Sequence, residues 1–236
     1  MPKNRPKPVA SRVAVQIKSM LKRLTGEFLG TFGLVFCGTG AIIINQESGG
    51  IITHVGIAMT FGLIVIAMIL SFGHVSGAHI NPAVTIALCV AKRFKRQNIV
   101  PYVFAQLGGG CLASFILHNL FPDNKMLGAT FPKGSDMQSF ILEFILSFLL
   151  ILVILTSTQK KDHSLIGPAL AIGSTVGLEA LFAGPICGAS MNPARSLSPA
   201  FIGGHFQSIW VYIFGPVSGA FAGAFLYSIL PFELNN

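Results

Sequence analysis

GAHINPA at residues 77–83 and GASMNPA at residues 188–194 are two copies of one motif, in which Asn-Pro-Ala follows a Gly-Ala pair at the same offset. Asn is a preferred helix N-cap and Pro is favoured at the first helical position, so each copy predicts the start of a short helix. Both copies lie in apolar surroundings. A helix that begins inside a membrane is tolerated only where its unpaired N–H groups line a cavity. One Asn-Pro pair would be an ordinary turn signal. The matched pair predicts two half-helices that line a pore, at about residues 81–91 and 192–202.

Composition places the chain in a membrane. Of its 236 residues, 52% are hydrophobic and 10% are charged, and the mean hydropathy is +0.71. This composition is too apolar for a soluble domain and is typical of a polytopic membrane protein. The lipid bilayer is therefore a predicted partner.

The net charge of +8 does not indicate nucleic acid, because the basic residues cluster in segments that an even number of crossings places on one side. These residues are Lys3, Arg5, Lys7, Arg12, Lys18, Lys22, Arg23, Lys92, Arg93, Lys95, Arg96, Lys160 and Lys161. The pattern predicts a multi-pass protein of the cell membrane with both termini in the cytoplasm, and no nucleic-acid partner.

Six apolar runs are each long enough to span a bilayer. They lie at about residues 24–44, 52–72, 99–120, 137–157, 164–183 and 207–230. The predicted fold class is therefore an all-α membrane protein with six transmembrane helices and two re-entrant half-helices. Residues 9–24 also predict an amphipathic helix on the membrane surface, with a disordered tail as the alternative.

The chain is internally duplicated. Glu27-Phe28 matches Glu143-Phe144, and Gly109 matches Gly219. An odd number of spans in each repeat forces the two repeats into inverted orientations, so that the half-helices meet near the midplane. The predicted units are a basic cytoplasmic segment at 1–23, a first repeat at 24–122, a connecting loop at 123–136 and a second repeat at 137–236.

Two nine-residue segments, SGAHINPAV at 76–84 and GASMNPARS at 188–196, resemble the major intrinsic protein family, the aquaporins and aquaglyceroporins. The resemblance extends over essentially the whole chain after residue 24. The stretch LFAGPICGASMNPARSLSP at 181–199 is most similar to the nodulin-like intrinsic proteins of plants and their bacterial relatives. The resemblance implies the aquaporin fold and a homotetramer with one pore in each subunit.

The residues themselves suggest a mechanism for the two motifs, Asn81-Pro82-Ala83 and Asn192-Pro193-Ala194. If the half-helices meet end to end, the amides of Asn81 and Asn192 face the lumen as donors, and the opposed helix dipoles create a positive potential. Arg195 lies in the first turn of the second half-helix and adds a fixed positive charge. The sequence therefore predicts a passive channel for uncharged solutes that excludes ions and protons.

The resemblance places a selectivity filter at Phe61, Ala180, Ala189 and Arg195. Water-selective members of the family have a histidine at the position of Ala180, where this chain has only a methyl group. Glycerol facilitators have bulky aromatic residues at two filter positions and an acidic residue where this chain has Ser196. The chain departs from both patterns. Its filter favours water together with small neutral solutes such as glycerol, urea or undissociated metalloid acids.

Other function classes remain open at this stage. A water-only channel is one alternative, and a secondary transporter is another, because such transporters also use inverted repeats and broken helices. No cluster of nucleophile, base and orienting group indicates an enzyme, and no nucleotide-binding motif indicates a cofactor.

Several glutamate and histidine residues have more than one possible role. Glu27 and Glu143 could indicate proton coupling, but their matched positions favour hydrogen bonds to the re-entrant loop of each repeat. His74 is assigned to the same structural support and could confer pH sensitivity. His74 and His79 lack a cysteine or carboxylate at ligand spacing, so no metal site is predicted. Glu179 has no matching acid in the other repeat, and the sequence predicts no role for it.

Overall fold

The computed structural model describes residues 9–159 and 164–230, with side chains from residue 15 onward. Lys3, Arg5, Lys7, Lys160 and Lys161 lie outside these ranges. The described chain folds into eight α-helices, without strands in this part. The helices are α1 (Val9–Glu47), α2 (Thr53–Ser76), α3 (Pro82–Val90), α4 (Ile99–Leu120), α5 (Asp136–Ser157), α6 (Ile166–Cys187), α7 (Pro193–Gly203) and α8 (Val211–Ile229).

Six of these helices are long and apolar enough to cross a membrane: α1, α2, α4, α5, α6 and α8. The other two, α3 and α7, have 9 and 11 residues. At 1.5 Å per residue they extend roughly 14 to 17 Å, about half of a hydrocarbon core. The predicted fold class, with six spanning helices and two half-helices, is confirmed.

The N-terminal prediction needs a correction. Residues 9–24 do not form a separate helix on the membrane surface, because α1 runs without a break from Val9 to Glu47. The amphipathic pattern is therefore the first part of a long helix that continues into the first span.

The two repeats interlock around the half-helices. Within the first repeat α1 packs against α2 and α4, and within the second repeat α5 packs in the same way against α6 and α8. The half-helices cross over: α3 packs chiefly against α8, and α7 packs chiefly against α4. Each half-helix is thus held largely by the last spanning helix of the other repeat, which places both at the centre of the bundle.

Matched glycines allow the closest helix contacts. A Cβ atom at Gly109 of α4 would collide with the carbonyl oxygen of Phe28 in α1, and a Cβ atom at Gly219 of α8 would collide with that of Phe144 in α5. Small residues at such crossings let membrane helices approach closely. The same device recurs at equivalent positions of the two repeats.

The two ends of the bundle differ in charge. We call one end the basic face: α1 enters the bundle there, and α2, α5 and α8 end there. Its described basic side chains, all exposed, are Lys18, Lys22, Arg23, Lys92, Arg93, Lys95 and Arg96. The loops of the opposite face carry only Lys125 and Lys133 in the described part.

Candidate functional site

Each half-helix begins with an asparagine that caps its own N-terminus. Asn81 and Asn192 have extended backbone angles, and a proline follows each as the first helical residue. The Oδ1 of Asn81 accepts a hydrogen bond of 2.8 Å from the N–H of Ala83, and the Oδ1 of Asn192 accepts one of 3.0 Å from Ala194. Because each amide oxygen is directed at its own helix, each NH2 group points away from it.

These NH2 groups tie the two half-helices together. Nδ2 of Asn81 donates to the carbonyl of Met191 at 2.7 Å, and Nδ2 of Asn192 donates to the carbonyl of Ile80 at 2.9 Å. The two helix N-termini therefore meet, and their dipoles oppose each other with the positive ends together. An amide NH2 group has two hydrogens, so each asparagine retains a second donor for a molecule that passes between them.

The two loops that lead into the half-helices share an unusual backbone. Ala78 and Ile80 have φ values of 46° and 44°, and the equivalent Ala189 and Met191 have values of 41° and 53°. Residues with side chains rarely adopt this left-handed region, and each instance costs on the order of 1–3 kcal/mol. Such a conformation persists only where neighbouring groups hold it in place.

Two buried glutamates provide that support. Glu27 accepts hydrogen bonds from the backbone N–H groups of His79 and Ile80, at 3.0 and 2.8 Å. Glu143 accepts equivalent bonds from Ser190 and Met191, both at 2.7 Å. Neither glutamate has any exposed surface. The geometry favours loop support by Glu27 and Glu143 over proton coupling, because both oxygens of each carboxylate are occupied by backbone donors.

Side chains around the first loop form a further network. Gln106 of α4 donates to Glu27 at 2.7 Å and to Thr85 at 2.9 Å. Nδ1 of His79 lies 3.2 Å from the Thr85 hydroxyl, and the His79 ring packs 5.1 Å from the ring of Tyr102. The network fixes the loop against α4.

The structure does not place His74 in this network. His74 is exposed on the last turn of α2, and the histidine that packs inside the loop is His79. Residues 74 and 79 lie on either side of the end of α2, so their spacing alone did not distinguish the exposed imidazole from the buried one.

The second loop has a different polar network. The hydroxyl groups of Ser190 and Ser196 lie 2.6 Å apart, and Thr130 donates to Ser196 at 2.9 Å. Thr130 belongs to the loop between α4 and α5, so this connecting loop helps to fix the start of α7. Ser196, which stands where glycerol facilitators carry an acid, is thus a hydrogen-bonding support.

A cavity of about 490 Å³ extends inside the bundle from the basic face past both asparagines to Arg195. The apolar part of its wall includes Leu34, Val65, Ile69, Leu150, Ile154, Ile172 and Val176. The polar side includes His79, Asn81, Ser190, Asn192 and Arg195. Such a cavity offers both hydrogen-bond donors and carbon surface to a solute.

The end of the cavity towards the opposite face contains three of the four predicted filter residues, Phe61, Ala189 and Arg195. Cζ of Arg195 lies 5.2 Å from the centre of the Phe61 ring. Nη1 of Arg195 donates to the carbonyl of Gly128 at 2.7 Å, whereas its Nε has no hydrogen-bond partner among the described residues. The guanidinium group is therefore anchored at one end.

Ala180 is buried in α6 and is not among the residues that line the cavity. The neighbouring Glu179 is also buried, and both of its carboxylate oxygens lack a hydrogen-bond partner in the part of the chain that the structure describes. An unpartnered buried carboxyl group is unfavourable. Glu179 thus differs from the buried Glu27 and Glu143, whose carboxylates accept backbone hydrogen bonds.

The sequence interpretation missed two features. Pro185 has no N–H group and leaves the carbonyl of Leu181 without its helical donor, and Nε2 of His54 lies 2.7 Å from that oxygen. Arg93 lines the cavity at the basic face. The proline inside a span could have indicated the first feature, but Arg93 was part of a basic run that also explains membrane orientation.

A bundle of six membrane-spanning helices, with a cavity that passes between two facing helix N-termini, defines the class of membrane channels. The comparisons with known proteins agree with this class. The sequence profile described as Major intrinsic protein matches residues 14–227. The chain therefore belongs to the major intrinsic protein family, whose members are aquaporin channels and not enzymes.

Among its relatives, the chain is 48% identical to Aquaporin NIP1-1 of Oryza sativa subsp. japonica over 215 residues, which cover 90% of this chain and 75% of that protein. It is 43% identical to Nodulin-26 of Glycine max, with 89% of this chain and 78% of that protein covered. Its fold is similar to the X-ray structure of the aquaglyceroporin from Plasmodium falciparum, with a TM-score of 0.78, 29% identity, and coverage of 89% of this chain and 96% of that one. The predicted resemblance to the family is confirmed.

Proposed function

We propose that the protein is a passive channel for water and small uncharged solutes, such as glycerol, urea and undissociated metalloid acids, and that it excludes ions and protons. The observation that carries the proposal is the junction of Asn81 and Asn192. Each retains one N–H donor towards a cavity with an apolar wall. A solute oxygen can accept both hydrogen bonds while its carbon atoms contact that wall.

The same junction supports the exclusion of cations. Two helix N-termini place partial positive charges at the centre of the path, and Arg195 adds a full charge beside Phe61. At roughly 4 Å and an effective dielectric constant near 20, two unit charges repel by about 4 kcal/mol, which is close to a thousandfold in rate. A neutral solute does not meet this barrier.

Protons are blocked by the orientation of the donors. A water oxygen that accepts hydrogen bonds from both asparagines has no lone pair left to accept a proton from the next water. The hydrogen-bonded chain of waters is thereby interrupted at the junction.

The filter residues support a solute range wider than water. Phe61 and Ala189 offer carbon surface, and we propose that Ala180, which lies in α6 outside the cavity lining, leaves unfilled the place that a larger side chain at this position would occupy. The likeness to an aquaglyceroporin structure is consistent with this range. A water-only channel is the alternative, and it would pass none of the larger solutes.

We further propose that the basic face lies in the cytoplasm of the cell and that four copies assemble into a homotetramer with one pore in each subunit. The clustering of exposed Lys and Arg on one face supports the orientation. Exposed apolar side chains on the spanning helices are available to lipid and to other subunits.

Stopped-flow light scattering on proteoliposomes tests the solute range. Vesicles with the protein are compared with empty vesicles for water, glycerol, urea and an undissociated metalloid acid. We expect faster flux for water and for at least one of the other three. Flux of water alone would support the water-only channel, and flux of none would contradict the proposal.

A further inference from the structure

The cavity has a second arginine at the end opposite to Arg195. Arg93 follows α3 and lines the cavity at the basic face, together with Thr158, Gln159 and Leu165. The cavity therefore has a guanidinium group at each end. The duplication of the two motifs does not predict Arg93 in this place.

Arg93 is held in a fixed position by three neutral acceptors. Its Nη1 donates to the carbonyl of Leu155 and to the hydroxyl of Thr158, both at 2.9 Å, and its Nη2 donates to the hydroxyl of Tyr227 at 2.6 Å. Cζ of Arg93 also lies 5.1 Å from the centre of the Tyr227 ring. These contacts join Arg93 to the ends of α5 and α8.

All three described acceptors of Arg93 are uncharged, and Asp162, which follows Gln159 in the chain, lies outside the described ranges. The described acidic residues are Glu27, Glu47, Asp123, Asp136, Glu143 and Glu179. Glu27 and Glu143 are buried and hold the loops, and Glu179 is buried in α6. Glu47, Asp123 and Asp136 lie at the opposite face, where α1 ends and α5 begins.

We propose that Arg93 is a second charge filter, which repels cations at the mouth on the basic face before they reach the half-helices. The proposal rests on the proposed channel function and extends it. Arg195 is buried, whereas Arg93 is exposed at the mouth, where water and salt screen its field. The effect of Arg93 should therefore be smaller and should depend on ionic strength.

The test needs a background in which the main barrier is weakened. We would use Arg195→Val and measure the uptake of guanidinium, which is charged at any neutral pH, into proteoliposomes. Adding Arg93→Gln should raise guanidinium uptake roughly 2- to 30-fold at low ionic strength. This range corresponds to the repulsion between two unit charges about 8 Å apart, for dielectric constants from about 80 to about 20. High salt should reduce this difference to less than about twofold.

Two variants separate charge from structure. Arg93→Lys in the same background keeps the charge but loses the two-pronged geometry, and it should retain low guanidinium uptake. Lys95→Gln removes an exposed charge that does not line the cavity, and it should change little. Glycerol flux, measured for every variant, reports whether the channel is folded.

The proposal is overturned if Arg93→Gln leaves guanidinium uptake unchanged, or if Arg93→Lys raises it as much as Arg93→Gln does. The second result would make Arg93 a purely structural clamp. If the Arg195→Val background does not fold, Asn192→Asp serves as the weakened background for the same comparison. Absence of glycerol flux in the unaltered protein would instead contradict the proposed function.

Discussion

Asn81 and Asn192 are each bonded to the loop of the other: Nδ2 of Asn81 donates to the carbonyl of Met191, and Nδ2 of Asn192 donates to the carbonyl of Ile80. Each asparagine also caps its own half-helix. One side chain therefore sets the position of both half-helices, and neither loop can move without affecting the other. The two repeats are therefore joined at the centre of the channel by hydrogen bonds.

Asn192→Asp should weaken the exclusion of cations. The substitution removes the donor to Ile80 and places a negative charge where the two helix N-termini create a positive potential. We expect cation conductance that the unaltered protein lacks, measured in planar bilayers or vesicles. Asn81→Asp is the matched variant in the other repeat and should behave similarly. Unchanged conductance in both, with water flux retained, would argue against a central electrostatic barrier.

Arg195→Val should broaden the range of permeant solutes. The change removes a guanidinium group whose Cζ atom lies 5.2 Å from the centre of the Phe61 ring. It also removes the positive charge of this group from the end of the cavity. Permeability to larger neutral solutes and to small cations should rise while water flux is maintained. Swelling assays with a series of polyols measure the first effect, and guanidinium uptake measures the second. If neither quantity changes, Arg195 only anchors the connecting loop through Gly128.

Glu27→Gln and Glu143→Gln should each destabilise the protein. An amide presents one NH2 group to a backbone N–H where the carboxylate presented an oxygen, so one of two buried donors loses its acceptor. The loss is on the order of 1–3 kcal/mol for each variant. Thermal unfolding in detergent should show lower transition temperatures. Normal stability combined with a new dependence of flux on the proton gradient would revive the proton-coupling interpretation.

Glu179→Leu should stabilise the protein. The carboxyl group of Glu179 is buried and has no hydrogen-bond partner among the described residues, so an apolar side chain of similar size removes an unfavourable burial. The gain is about 1–3 kcal/mol and should appear as a higher transition temperature. Glycerol flux should be unchanged. A loss of flux in a well-folded variant would instead give Glu179 a role in permeation.

Ala180→His should retain water flux and reduce glycerol flux. The imidazole would fill the space that a methyl group leaves open and would present a polar group to a carbon chain, which costs on the order of 1–3 kcal/mol. Glycerol flux should fall roughly tenfold or more. Ala180→Val is the control for size without polarity and should reduce flux less. If Ala180→His passes glycerol as well as the unaltered protein does, a side chain at position 180 does not reach the constriction.

Local rules explain why much of the architecture could be predicted from the sequence. Asn81 and Asn192 are N-caps followed by proline, and this signal depends only on neighbouring residues. The equivalent roles of Glu27 and Glu143 could be predicted from the internal duplication, because matched residues occupy equivalent places in the two repeats. The interlocking of α3 with the second repeat and of α7 with the first follows from the same inverted symmetry.

The remaining features depend on tertiary contacts that no local pattern encodes. His74 and His79 belong to one short segment, and only tertiary contacts such as that of His79 with Tyr102 distinguish the buried ring from the exposed one. Arg93 belongs to a run of basic residues that is already explained by the preference of basic loops for the cytoplasmic side. Its contact with Tyr227 therefore could not be inferred from the sequence. Glu179 has no partner in the duplicated pattern, and its burial is a property of how α6 packs.

The most direct test of passive conduction is the concentration dependence of glycerol uptake by the unaltered protein in proteoliposomes, measured with and without a proton or sodium gradient. A channel that holds solutes only through the junction of Asn81 and Asn192 has no step in which it must reorient. We therefore predict an initial rate that rises almost linearly with glycerol concentration and does not respond to either gradient. A rate that saturates, shows counterflow or follows an ion gradient would contradict a channel and indicate a transporter.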